Sequence, residues 1–150
     1  MILIAHRGNI NGPNPERENS KYYIMEAVAM GYDVEIDVWL REGKIYLGHD
    51  EPLYQIELDW LEQYAKKLWI HCKNVDIFLY LKDINSLNVF WHENDTLTLT
   101  TQQKVWAYPG KQPIKGSIAV MPEWFNDNID GCEGVCSDYI IKYKTHEDLL

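Results

Sequence analysis

His6-Arg7-Gly8 and Gly48-His49-Asp50 each close a short apolar run, and Glu35-Ile36-Asp37 stands between them inside another. Carboxylates at i and i+2 of a strand project from one face. Glu35 and Asp37 can therefore aim oxygens at one hard divalent cation, such as Mg2+ or Ca2+. Two imidazoles brought from separate strand ends can flank a reacting centre as general acid and base, because the ring titrates near neutral pH. Arg7 offers a fixed fork of donors that suits a phosphate. Glu18 sits in the loop after His6, and His92-Glu93 follows a later apolar piece that could reach the same mouth.

Such groups need strands that end together. Ile2-Leu3-Ile4-Ala5 is a continuous apolar run of the kind buried on both faces. A polar loop leads to Ser20, an N-cap residue for a helix carrying Met25, Ala27, Val28 and Ala29, which Gly31 ends. In Asp33-Val34-Glu35-Ile36-Asp37-Val38 the apolar residues alternate with the carboxylates, as in a strand. Further strands are expected at 44–47 and 68–72, and helices at about 58–67 and 75–84. The pieces at 88–91, 96–100, 105–108, 117–120 and 135–139 read as strands without helices between them. Strand and helix alternate in the first half, which argues for an α/β fold with parallel strands. In a parallel barrel, reactive groups gather at the C-terminal strand ends.

Taken in order, these pieces resemble the glycerophosphodiester phosphodiesterase family, within the phosphatidylinositol-phospholipase-C-like barrel superfamily. Its His-Arg, Glu-x-Asp and His-Asp hallmarks stand here as His6-Arg7, Glu35-Ile36-Asp37 and His49-Asp50, and Arg17-Glu18-Asn19-Ser20 resembles its Pro-Glu-Asn-Thr-like loop. The resemblance is close over residues 2–53, about a third of the chain. Beyond that it thins to Ile70-His71-Cys72-Lys73 and Cys136-Ser137-Asp138-Tyr139. It implies one domain over residues 1–150, a reduced (β/α)8 TIM-type barrel with several helices missing in the C-terminal half. It implies His6 and His49 as the acid/base pair, Glu18, Glu35 and Asp37 as metal ligands, and Arg7 and Lys73 on the phosphate. His71 stands where the family has a carboxylate, so Mn2+ or Zn2+ joins Mg2+ and Ca2+ as a candidate metal.

The chain has 150 residues, 14 Lys+Arg and 23 Asp+Glu, and a net charge of −9. That balance argues against a general nucleic-acid binder, whose affinity comes from cations on phosphates. No apolar run approaches the roughly 20 residues of a membrane span. The odd number of cysteines, 3, reads as free thiols in the cytoplasm. The expected activity is metal-dependent hydrolysis of a glycerophosphodiester or related small phosphodiester, placing the chain in lipid metabolism. The alternatives are a lyase or transferase that forms a cyclic phosphate, and an inactive phosphate-binding module. Missing helices and aromatic residues in the second half point towards a homodimer.

Overall fold

The computed structural model describes residues 1–92, 94 and 96–145. Strand β1 (Ile2–His6) leads into α1 (Lys21–Ala29), whose N-terminus is closed by the Ser20 hydroxyl accepting from Tyr23 N. Strand β2 (Asp33–Arg41) turns at Glu42-Gly43 into the antiparallel strands β3 (Lys44–Leu47) and β4 (Tyr54–Ile56). Helix α2 (Leu58–Gln63), strand β5 (Leu68–Cys72) and helix α3 (Val75–Leu81) follow, the last capped by Asn74. Five strands complete the chain: β6 (Val89–Trp91), β7 (Leu97–Leu99), β8 (Val105–Ala107), β9 (Ser117–Val120) and β10 (Gly134–Ser137).

Seven of these strands run parallel in the order β6-β5-β2-β1-β10-β9-β8. Strand β7 adds antiparallel to β8, and β3 extends from the distal half of β2. The first and last parts of the chain thus meet at the centre of the sheet. A Cβ at Gly134 would stand 2.7 Å from Ile2 O, so only glycine permits β10 to approach β1 this closely.

The strands alternate between two apolar clusters. Ala5, Val34, Ile36, Val38, Ile70, Cys72, Val89 and Val135 pack with the helices on the convex side. Ile4, Trp69, Phe90, Trp106, Ile118, Val120 and Cys136 pack together inside the curl.

The expected (β/α)8 TIM-type barrel is not formed. The sheet is mixed and curls into a half-barrel. Among the described residues the α-helices are three short ones, all before Lys82, and no ladder joins β6 to β7. Thr101 bridges that gap, its backbone N–H donating to Val89 O and its hydroxyl accepting from Val89 N. The reason lies in the second-half connections. Residues 108–116 join two parallel strands and contain Pro109, Gly110, Pro113 and Gly116. A helical crossover needs about a dozen residues, and proline and glycine disfavour helix. Residues 121–133 form only a 3-10 turn at Pro122–Trp124. No helix among the described residues is long and apolar enough to cross a membrane.

Candidate functional site

Because the parallel strands end on one rim, their inward residues converge there. Continuing the Ile2, Ile4 parity brings His6 to the rim, and β2 contributes Glu35 and Asp37. Strand β5 and its continuation contribute His71 and Lys73, and the end of β6 contributes His92. All of them line one cavity of about 460 Å3, together with Arg7 and His49.

His6 is fixed from both sides. Its Nδ1 lies 2.7 Å from Asp138 Oδ1, and its Nε2 lies 3.5 Å from Glu35 Oε2. Asn9 donates to the same Asp138 oxygen at 2.9 Å and accepts from the Tyr23 hydroxyl at 2.9 Å. Burial opposes the charged imidazolium, but the Asp138 hydrogen bond and the Glu35 charge outweigh it, so the His6 pKa is raised. Asp138 is half-buried, which opposes its ionisation, yet its bond to His6 holds its pKa below the usual carboxylate value.

The two carboxylates on β2 have opposite environments. Asn19, buried behind the site, donates from Nδ2 to Asp37 Oδ2 at 2.9 Å and accepts from Asp37 N at 3.0 Å. His71 Nδ1 stands 3.1 Å from Asp37 Oδ1, and Arg7 Nε stands 3.4 Å from Asp37 Oδ2. Burial disfavours ionisation of Asp37, but the His71 hydrogen bond and the neighbouring cations prevail and hold it well below the carboxylate range. Glu35 is 2% exposed and its Oε2 has no hydrogen-bond partner. Burial, reinforced by the Asp37 charge, pushes its pKa up to about 7.

Among the described residues, Glu35, Asp37 and His71 bring one ligand atom each within 4.8 Å of one another. His71 Nδ1 is 3.1 Å from Asp37 Oδ1 and 4.0 Å from Glu35 Oε1. Two ligand atoms on a single ion at about 2.1 Å lie about 3.0 Å apart in cis positions; the His71–Asp37 spacing matches this, and the three residues together could hold a divalent ion. Glu35, whose Oε2 has no hydrogen-bond partner, and Asp37 are the two buried carboxylates that would supply the charge such an ion needs. One imidazole beside two carboxylates suits Mn2+ or Zn2+ as well as the harder Mg2+ or Ca2+.

His49 reaches the cavity from the β3 side. Gly48 N donates to Asp37 O at 3.0 Å, and the Trp39 indole donates to Gly48 O at 2.6 Å. A Cβ at Gly48, where φ is +150°, would fall 2.0 Å from Glu51 O. His49 Nδ1 pairs with Asp50 Oδ1 at 2.6 Å, leaving Nε2 free of that contact. Partial burial is the main cause of its lowered pKa.

Glu18 is placed differently from the other expected ligands. Its carboxylate accepts from Asn14 N at 2.8 Å and from Arg7 Nη1 at 3.3 Å, so it sits behind Arg7 and orients the guanidinium. The sequence points to His92 at this mouth, and the cavity includes it, whereas Asn9, Asn19 and Asp138 are given no role there by their spacing. Asn19 and Asn9 hold the carboxylates, and Asp138 holds His6. His92 stacks on His71 with centroids 4.5 Å apart, and Tyr108 contacts its ring. Burial, then the His71 and Lys73 charges, lower the His92 pKa to about 4. The usable signal was strand parity, since Asp138 lies two residues past the inward Cys136. Glu93, read with His92, lies outside the described residues.

Comparison with family models, with curated proteins and with solved structures finds no match to this chain.

Proposed function

We propose that this chain is a metal-dependent phosphodiesterase acting on a glycerophosphodiester or related small phosphodiester. One observation carries the reading: two histidines, a buried Glu/Asp/His donor set and two cationic side chains line a single cavity. The motif resemblance to glycerophosphodiester phosphodiesterases supports the same chemistry.

In this reading Glu35, Asp37 and His71 hold the divalent ion, which when bound acts as a Lewis acid on a phosphoryl oxygen. Arg7 is kept aimed by Glu18 and Asp37 and, with Lys73, binds the phosphate and offsets charge that develops in the transition state. His6 is oriented by Asp138, and His49 by Asp50. One of the pair removes a proton from the attacking hydroxyl, of water or of the substrate itself. The other protonates the departing alkoxide. A cytoplasmic location and a homodimer belong to the same proposal. The free thiols of Cys72, Cys132 and Cys136 support the first, and the exposed Leu97 and Leu99 on terminal strand β7 support the second.

The test is phosphorus NMR of a phosphodiester panel with divalent metal or with chelator, beside His49→Ala. The expected result is a metal-dependent phosphomonoester signal that the variant does not produce. A cyclic-phosphate signal would move the reading to a lyase. Binding without turnover under every metal would replace it with a phosphate-binding module.

A further inference from the structure

The cavity lining has two unlike parts. His6, Arg7, Glu35, Asp37, His49, His71 and Lys73 form the ionic one. The rest of the lining is mainly apolar and aromatic: Trp106, Tyr108, Pro109, Val120, Met121 and Trp124, joined to the ionic part through Phe90 and His92. The acid/base, phosphate and metal roles above use only the first.

Trp124 is the unusual member of the second part. It is 64% exposed, yet the turn that carries it is anchored on both sides. Glu123 accepts from the Ser137 hydroxyl at 2.6 Å and from the Tyr143 hydroxyl at 2.7 Å. On the other side, Phe125 lies over Gly110, with Cδ2 3.4 Å from the position of an added Cβ. Asp127 N donates to Pro122 O at 2.9 Å, and Gly110 N donates to Asp127 Oδ2 at 2.8 Å. The turn begins at Met121, a non-glycine residue held at φ +44° and ψ +53°. Such left-handed strain persists where surrounding contacts over-determine it. The result is a large aromatic face held in place at a cavity rim with little of its own surface covered.

We infer that the cavity takes a phosphodiester one of whose alcohols carries a flat ring, and that Trp124 is the platform on which this ring stacks. The inference rests on the phosphodiester reading for the phosphate half of the ligand. With the phosphate on Arg7 and Lys73, an ester arm that stays inside the same cavity meets the apolar part of its lining. There the lining offers carbon surface from Pro109, Val120, Met121 and Trp106, and the Tyr108 hydroxyl is already engaged with His92. A polyol arm such as glycerol would lose hydrogen bonds on that surface. A ring gains a stacking face whose position is fixed before binding, so little ordering is lost on association.

The experiment is calorimetric binding, in chelator, of four diesters that share a methyl ester. They are methyl benzyl, methyl octyl and methyl glyceryl phosphate, and uridine 5′-methyl phosphate. Benzyl or uridine diester is expected to bind about tenfold or more tighter than the glyceryl diester, as for one aromatic stacking contact. In Trp124→Ala that ratio falls to about one, and Trp124→Phe restores part of it. Benzyl and uridine arms distinguish a simple arene from a nucleobase as the source of the ring. Octyl diester binding as tightly as benzyl would overturn the inference in favour of an alkyl chain. Equal binding of benzyl and glyceryl diesters, an undiminished ratio in Trp124→Ala, or no binding by any diester would also overturn it. Ring-selective binding without hydrolysis under any metal would sustain the inference while removing the phosphodiesterase reading.

Discussion

His6 Nδ1 lies 2.7 Å from Asp138 Oδ1 across 132 residues of sequence. The pairing exists because β1 and β10 are parallel neighbours, with Ala5 opposite Ser137. The next residue on each strand then reaches the rim beside its partner. In the proposed enzyme Asp138 would be a positioning residue, setting the tautomer and plane of His6 through this contact. Asp138→Asn is expected to reduce kcat by about 10²-fold or more, within the range of an acid/base contribution, with a smaller change in KM. It also shifts the pH–rate limb owed to His6 downward, because the raising interaction is lost. A pH–rate profile identical to wild type would sink the role.

Glu35 gives the metal-free protein a pH-dependent stability. Its pKa is about 7 in the folded chain against an ordinary value of 4.5. Between these values the folded state holds its proton more tightly than the unfolded chain. This contribution is therefore present below about pH 4.5 and is lost as pH rises to about 7, on the order of a few kcal/mol. Urea unfolding in chelator across that window should show the decline, and Glu35→Gln should flatten it. Divalent metal should reverse it by stabilising the charged carboxylate.

In the proposed metal site, His71 would set the choice of ion. Calorimetry should find Mn2+ or Zn2+ bound more tightly than Mg2+ by the native chain. His71→Glu, which supplies a third carboxylate, should raise Mg2+ affinity about tenfold or more. An unchanged Mg2+ affinity would remove His71 from the ligand set.

Asn19 joins the loop after β1 to the backbone and side chain of Asp37 by two buried hydrogen bonds. Asn19→Ala leaves Asp37 Oδ2 and N without these partners and places alanine at φ +65°. A loss of about 2–4 kcal/mol is expected, from unsatisfied buried groups and backbone strain together. Chemical denaturation measures it. Asn19→Gly should recover only the backbone part.

At Gly48 the expected substitution effect is local. Gly48→Ala forces a Cβ against Glu51 O and displaces the turn that presents His49. Turnover should fall together with Tm, whereas affinity for a metal at the proposed Glu35, Asp37 and His71 site on β2 and β5 should stay near that of the native chain.

Strand β1 was legible as a continuous apolar run, and β2 because its apolar residues alternate with carboxylates. Val34, Ile36 and Val38 against Glu35 and Asp37 mark both the strand and its ligand face in one stretch. Helix α1 was legible from Ser20 and Gly31, whereas α2 stops at Gln63, short of its expected end. Closure of the sheet was not legible. It depends on whether β6 finds a partner, and the hairpin of β7 on β8 takes the pairing that a closed barrel would need. Local patterning carries no information about that competition. Asp138 and Asn19 escaped for a related reason: their importance comes from neighbours brought together by strand order, not by spacing. His71 and Lys73 were found only through the motif resemblance, although both continue the inward parity of Trp69.

Alternation on β2 and β5 ties the ionic part of the cavity to the convex core by counting. On these strands odd positions hold the chemistry and even positions hold the fold: Glu35 and Asp37 against Ile36 and Val38, His71 against Ile70 and Cys72. Inserting or deleting a single residue inside either strand exchanges the two sets, sending carboxylates or imidazole into the helix-facing core and aliphatics to the rim. Length changes in these strands are therefore forbidden in steps of one. Connections such as residues 111–116, which carry no parity and do not line the cavity, are where this chain can grow or shrink without rewriting its own site.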